Sequence, residues 1–453
     1  MAKPRTSYVC GACGARTSQW QGQCVDCEAW NTLEAVTGTV VAALPGRKGP
    51  AVATSKTVIE VTDETETRAS SGSSELDRVL GGGLVAGSVI LLGGDPGIGK
   101  STLLLQAADA LSRERCVLYC SGEESVRQVA LRSRRLGLES TTLRLAAHTR
   151  VETILEEAAA AQARVLVVDS IQTMQTDATE SSPGSAVQVR ESAARLVRFA
   201  KDTGTTVFII GHVTKEGTIA GPRILEHVVD TVLYFESEPG SRFRIVRAVK
   251  NRFGAANEIG VFAMADQGLK EVRNPSAIFL SRPGTAVAGS VVTVAREGSR
   301  PLLVEIQALV DDAQAMSTKR VAVGFDSSRL ALLLAVLHRH AGISTAGQDV
   351  FVNVVGGVRI GETAADLPAV LAVASSLRGR ALDAGLVCFG ELGLTGEVRP
   401  IAYGEERLRE AAKQGFRRAL VPSANAPRRP IDGIDGIEVV GVERLEAALD
   451  RAF

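Results

Sequence analysis

Between residues 89 and 265 the chain alternates two hydrophobic patterns. Short continuous apolar runs, Val89–Leu92, Cys116–Cys120, Val165–Val168 and Val207–Ile210, have the length and β-branched richness of strands buried on both faces. Between them, Thr102–Leu111, Ser125–Leu136, Val151–Ala161 and Ala186–Lys201 read as helices. That alternation predicts an α/β domain, a parallel sheet with helices on both faces. Further strands are predicted at Thr231–Phe235, Phe243–Val249 and Ile259–Met264. Upstream, the stretch 70–87 reads as a capped short helix ended by Gly81-Gly82-Gly83 and leading into the first parallel strand.

The pattern changes near Asn274-Pro275. Val287–Ala295 and Pro301–Val310, joined at Glu297-Gly298-Ser299-Arg300, read as a hairpin. Helices at Ser327–Ala341 and Ala364–Leu377 then alternate with strands at Val350–Val354 and Leu386–Phe389, an α+β arrangement. Residues 33–60 hold Ala, Val, Gly, Pro and Thr without a sustained period, as a linker with at most one short strand would. A chain of 453 residues needs two or three domains. The expected divisions are 1–32, the linker 33–60, 61–274 and 275–453.

The first strand runs into Gly94-Asp95-Pro96-Gly97-Ile98-Gly99-Lys100-Ser101-Thr102, which fits the phosphate-binding pattern G-x-x-x-x-G-K-[ST]. Strand, glycine loop and helix occur in the required order. Gly97 and Gly99 let backbone N–H groups turn around phosphate oxygens, and the helix start adds free N–H groups and a positive dipole end. Lys100 is expected on the β- and γ-phosphates, and Ser101 on Mg²⁺. This chain is expected to bind a nucleoside triphosphate. Asp169 closes the apolar run Val165–Val168, where a carboxylate can hold Mg²⁺ through its water shell. Glu123 and Glu124 follow another strand end; either can orient and deprotonate water, and Glu123 is the favoured candidate.

Near the N-terminus, Cys10-Gly-Ala-Cys13 and Cys24-Val-Asp-Cys27 form two C-x-x-C turns. Four thiolates so placed can close a tetrahedral Zn²⁺ site, and the metal supplies folding energy that so short a segment lacks. Trp20 and Trp30 are expected to pack around these turns. The other three of the seven cysteines, Cys116, Cys120 and Cys388, lie in apolar runs and read as core residues. Charge changes the picture only by exclusion. With 51 basic and 51 acidic residues there is no global field toward nucleic acid or membrane, so any nucleic-acid surface is local. No apolar run approaches the ~18 residues of a membrane span, and the first residues lack the apolar segment of a secretion signal. A cytoplasmic location without membrane contact is expected.

The loop with Gly122-Glu123-Glu124 and Val168-Asp169-Ser170 resembles the RecA-type ATPase core. The leader Ser73-Ser-Glu-Leu-Asp-Arg-Val-Leu-Gly-Gly-Gly83, the segment Lys250-Asn251-Arg252-Phe253-Gly254 and the paired cysteines narrow the resemblance to the bacterial RadA (Sms) family, across essentially the whole chain. The resemblance implies a RecA-like P-loop core flanked by a four-Cys zinc ribbon and a Lon-protease-like domain. It also implies DNA repair and recombination, with single-stranded and branched DNA and the RecA recombinase as partners. Lys250 and Arg252, at i and i+2, would share one face and act on ATP or DNA across a subunit boundary. The segment 211–223 falls where RecA-like proteins carry a mobile DNA-binding loop; His212 at its start suits a γ-phosphate sensor or a structural histidine.

Phe389-Gly-Glu-Leu-Gly-Leu-Thr-Gly-Glu-Val-Arg-Pro-Ile401 is similar to the proteolytic domain of Lon. Lon-type cleavage needs a Ser nucleophile and a Lys base. Pro368 and Glu405 stand at or near those two positions, so no peptidase is expected. Lon-like and RecA-like domains both assemble in rings, which implies a homo-oligomer, a hexamer. The expected activity is ATP hydrolysis coupled to DNA, as in a ring helicase or translocase. The alternative is a regulatory ATPase that binds protein partners.

Overall fold

In the computed structural model of the protein, the described residues are 6–11, 15–17, 19–25, 27–37, 68–212, 225–237, 241–277, 279–280, 286–314, 317–427, 434 and 436–453. They divide into two compact units, Met1–Val272 and Arg273–Phe453. The first begins with a small antiparallel sheet of β1 (Thr6–Cys10), β2 (Arg16–Thr17) and β3 (Leu33–Thr37), in the order β2-β1-β3. Residues 33–37, read above as linker, are thus the third strand of the cysteine-bearing sheet. Trp20 and Trp30 do not pack into its core: they are 58% and 69% exposed. The core there is Cys10, Cys24 and Leu33, too small to enclose an indole.

The larger sheet is assembled from β4 (Val89–Gly94), β5 (Val117–Ser121), β6 (Arg144–Ala146), β7 (Val165–Asp169), β8 (Thr206–Ile210), β9 (Thr231–Glu236), β10 (Phe243–Asn251), β11 (Ile259–Ala265) and β12 (Gly268–Glu271). Their order is β12-β11-β10-β9-β4-β8-β7-β5-β6. The six strands from β9 to β6 run parallel, and β10 to β12 extend them as antiparallel hairpins. Each continuous apolar run splits by period two into two faces. Ile90, Leu92, Val117, Tyr119, Val165 and Val167 pack under the helix Lys100–Ser112 with Leu103, Leu104 and Ala107. Val89, Leu91, Leu118, Cys120, Leu166 and Val168 pack on the other side with Ile154, Val189, Ala193 and Leu196. Those last residues belong to helices Val151–Ala160 and Ala186–Thr203.

Local chemistry sets the helix ends. Ser125 and Gln128 form a reciprocal capping box at the start of Val126–Arg135, and Gly204, at φ 70°, ends Ala186–Thr203. The leader helix Ser74–Val79 is pinned to the antiparallel flank, where Glu75 accepts the Val261 N–H at 2.8 Å. A Cβ at Gly260 would lie 2.5 Å from the Glu75 carbonyl oxygen, so only glycine allows that approach.

The second unit carries a seven-stranded mixed sheet of β13 (Ser290–Glu297), β14 (Arg300–Asp312), β15 (Arg320–Val323), β16 (Gln348–Val354), β17 (Leu386–Cys388), β20 (Arg418–Pro422) and β21 (Glu438–Val442). The order is β15-β16-β14-β13-β17-β20-β21; β18 (Glu391–Leu392) and β19 (Val398–Arg399) pair separately. The hairpin turns at Gly298-Ser299, between the paired Glu297 and Arg300, but its first strand starts at Ser290 rather than Val287. Gly289 holds φ 84°, and a Cβ there would meet the Ala308 carbonyl oxygen at 2.3 Å. The buried helix Asp366–Arg378 packs on β13 and β14.

One ion pair between a buried arginine and a half-buried glutamate fastens the helix Gly404–Lys413 to this sheet. The Arg407 guanidinium, 2% exposed, donates to Glu362 Oε1 at 2.8 Å and Oε2 at 2.6 Å, and to the Val294 carbonyl. Removing one partner of such a pair leaves a charge stranded out of water. Glu362→Ala is therefore expected to destabilise this unit by about 3 kcal/mol. Hydrogen exchange resolved to residues 290–422 would read the loss, and protection equal to the wild type would refute it.

Candidate nucleotide and zinc sites

The parallel register brings the carboxyl ends of β4, β5, β7 and β8 to one edge, the usual ligand crevice of such sheets. At the end of β4, Gly94, Gly97 and Gly99 hold φ values of 147°, 74° and 119°. A Cβ at Gly94 would lie 2.9 Å from Phe235, and one at Gly99 would lie 3.1 Å from Met264. Asp95, Pro96 and Gly97 stay accessible while Ile98 tucks into the core. Arg244 of β10 steadies the loop by donating Nε to the Ile98 carbonyl at 3.2 Å.

The helix that follows has Gly99 as its N-cap and no side-chain cap. Its first-turn N–H groups are thus open to an anion, with Ser101 and Thr102 half-buried beside them. The buried Lys100 ammonium donates to the Gly94 carbonyl at 2.7 Å and the Asp95 carbonyl at 2.9 Å. Burial lowers its pKa to about 8, against the opposing pull of Asp169, Glu123 and Asp95. This cradle fits a polyphosphate: glycine-only turns, an uncapped helix start and a buried cation share one loop.

Asp169, at the end of β7, is 5% exposed and accepts the Tyr119 hydroxyl on Oδ2 at 2.5 Å. Glu123 accepts from the Ser170 hydroxyl and meets His212 Nε2 at 3.0 Å. Burial works to raise the Glu123 carboxyl, but the hydrogen bonds from Ser170 and His212 and the Lys100 charge outweigh it and hold its pKa below the ordinary value. Its neighbour Glu124 is engaged elsewhere, 3.0 Å from the Arg132 guanidinium. One chain therefore gathers Lys100, Glu123 and Asp169, with Ser101 on the same loop. The segment after His212 that was read as a DNA loop, 213–223, lies outside the described residues.

Lys250 and Arg252 are not part of that group. They do share a face: Lys250 donates to the Glu226 carbonyl at 2.6 Å and the Val229 carbonyl at 2.9 Å, and Arg252 lies 3.4 Å from Asp230. Burial and the neighbouring Arg252 lower the Lys250 pKa. Asn251, however, pairs with Thr231, which pairs with Ile90 at the start of β4, whereas Gly94 pairs with Phe235. Four strand residues, about 13 Å, separate the two ends. Within one chain the two cations sit at the opposite end of the sheet from the phosphate loop. Arg252 stays 58% exposed in side chain, while Asp230 is buried and also holds Lys201 at 2.6 Å.

Sequence reasoning missed Tyr119, Arg132, Ser170, Asp230 and Arg244. Only Ser170, directly after the acid that ends the β7 run, carried a sequence signal. The others depend on which strands are neighbours.

In the small sheet, the Sγ atoms of Cys10, Cys24 and Cys27 all lie within 4.8 Å of one another, with Cys10 and Cys27 3.6 Å apart. A tetrahedral Zn²⁺ with bonds of about 2.3 Å sets its sulfurs about 3.8 Å apart, so the three thiols fit that ion. Cys13 lies outside the described residues. In the second unit, Pro368 is buried in the first turn of its helix and Glu405 is exposed; neither offers the hydroxyl nucleophile or the amine base of a Ser/Lys dyad.

Comparison with known proteins finds three family models along the chain. Residues 55–218 match the family model described as an AAA domain, 8–35 that of a rubredoxin metal binding domain, and 300–425 that of the subunit ChlI of Mg-chelatase. The chain is thus a P-loop ATPase whose ligands are ATP and Mg²⁺, with Zn²⁺ in its N-terminal ribbon. No described helix is long and apolar enough to cross a membrane. Similar relatives carry the name DNA repair protein RadA. That of Pseudomonas aeruginosa is 58% identical over 100% of both chains, that of Escherichia coli 52% over 99% of both, and that of Bacillus subtilis 46% over 99% of both. The chain belongs to the RadA family of DNA repair proteins.

Proposed function

We propose that this protein is an ATP-driven DNA-binding motor of recombination and repair. It works as a ring of six copies that moves on single-stranded DNA, processes branched intermediates and assists the RecA recombinase. One observation carries the reading: Lys100, Glu123 and Asp169 meet in one chain while Lys250 and Arg252 lie at the far end of the sheet. A nucleotide site using both sets needs a second copy, which is how a ring couples hydrolysis in one subunit to movement in the next.

In this reading Lys100 leaves the Gly94 and Asp95 carbonyls for the β- and γ-phosphates. Ser101 and Asp169 would hold Mg²⁺, which would supply charge neutralisation at the phosphate oxygens when bound. Glu123 orients the attacking water and takes its proton as the water oxygen bonds to phosphorus and the β–γ bridge breaks. His212 ties Glu123 to the start of the loop that would meet DNA, so occupancy of either site is felt at the other. Arg252 and Lys250 of a neighbour stabilise the departing phosphate charge.

Three outcomes are expected. Lys100→Ala lowers ATP turnover at least about a hundredfold with an unchanged circular dichroism spectrum, and normal turnover would refute the site. Wild-type hydrolysis is stimulated by single-stranded DNA, and Arg252→Ala lowers the stimulated rate about a hundredfold while nucleotide binding persists. Strand separation by that variant at the wild-type rate would remove the role across the interface; hydrolysis indifferent to DNA would favour a regulatory ATPase acting on protein partners. Cys24→Ser releases about one Zn²⁺ per chain, measured by atomic absorption, and undiminished zinc would sink the thiolate site.

A further inference from the structure

We propose that Tyr119 and Arg132 are positioning residues for Asp169: they hold one carboxylate oxygen so that the other faces the divalent cation of the nucleotide site. The inference rests on the reading of Asp169 as the carboxylate that serves Mg²⁺.

The arrangement follows from the sheet. Tyr119 pairs with Val167 and Ser121 with Asp169 across β5 and β7, so Tyr119 and Asp169 are diagonal neighbours on one face. Such positions lie about 7–8 Å apart, within reach of a phenol. The Tyr119 ring is fully buried in the core cluster under helix Lys100–Ser112, a place that a phenylalanine would fill equally well. Its hydroxyl instead lies 2.5 Å from Asp169 Oδ2. A buried hydroxyl needs a partner, and a charged acceptor makes the bond stronger than a neutral one.

Arg132 comes to the same oxygen from the last turn of helix Val126–Arg135. Its Nη2 lies 3.4 Å from the Tyr119 hydroxyl and 3.9 Å from Asp169 Oδ2, and its Nη1 lies 3.0 Å from Glu124. The guanidinium plane thus braces the phenol, the carboxylate and Glu124 together. Both contacts to Asp169 fall on Oδ2, leaving Oδ1 for a cation's water shell. An aspartate carboxylate turns in a broad torsional well, and without these donors it would present Oδ1 only part of the time. Groups that orient a metal-serving carboxylate in this way control affinity for the metal.

The test uses the full-length protein with ADP, and Mn²⁺ as the probe, its free fraction read by electron paramagnetic resonance. Tyr119→Phe keeps the ring and removes the hydroxyl; it is expected to weaken Mn²⁺ binding about tenfold. Binding of a fluorescent ADP in EDTA stays unchanged. Arg132→Gln is expected to weaken Mn²⁺ binding in the same direction by a smaller factor. Wild-type Mn²⁺ affinity in both variants, whatever their melting temperatures, would overturn the positioning role. Asp169→Asn separates the two levels. If it weakens Mn²⁺ binding while the other variants do not, only the positioning role fails. If it binds Mn²⁺ as the wild type does, the assignment of Asp169 fails and this inference with it.

Discussion

The chemistry of this chain depends on the in-register parallel pairing of β5, β7, β8 and β4. A parallel sheet sends the carboxyl ends of its strands to one edge, where loops with little in common in sequence become neighbours. Lys100, Glu123, Asp169 and His212 are spread over more than a hundred residues of chain, yet each follows or ends one of these strands. A one-residue slip of β7 against β5 would carry Asp169 to the other face, away from Tyr119. The apolar alternation that builds the two cores forbids that slip, because Val165 and Val167 would trade places with Leu166 and Val168. Packing therefore sets the geometry of the candidate site.

The antiparallel flank adds the second constraint. Because β10 runs back along β9, the Lys-Asn-Arg segment emerges at the edge opposite the phosphate loop. Lys250 is fixed there by two carbonyls and Arg252 by the buried Asp230, which also accepts the Val89 N–H at 3.0 Å. Asp230 thereby anchors both the start of the strand that ends in the phosphate loop and the cation offered outward. The start of β4 and Arg252 thus share one buried carboxylate.

How much was legible beforehand varies with how local the cause is. The phosphate loop and the cysteine pairs were readable because their function lies in short spacings. Helix Ser327–Ala341 was readable because an apolar period and a cap coincide. The start of the hairpin at Ser290 was not, since Gly289 answers to Ala308 and Ser375, far along the chain. The tryptophans were misplaced for a related reason: a metal-centred module needs no apolar core, so aromatic residues there are free to face water. Tyr119 looked like an ordinary strand residue and Asp230 like the residue before one, and only neighbours distant in sequence give them polar partners.

The adjacent pair Glu123 and Glu124 shows what three dimensions add to a motif. Sequence offers two identical carboxylates at one strand end, both able to serve as base. Helix Val126–Arg135, started by the Ser125 cap, turns Arg132 back toward that strand end and engages Glu124 at 3.0 Å. Glu123 instead faces Ser170 and His212 and feels the Lys100 charge. The guanidinium contact holds Glu124 away from the Ser170 and His212 side. In the proposed mechanism Glu123 exchanges its hydroxyl and imidazole partners for water, and Arg132, nine residues along the chain, is what keeps its neighbour Glu124 out of that place.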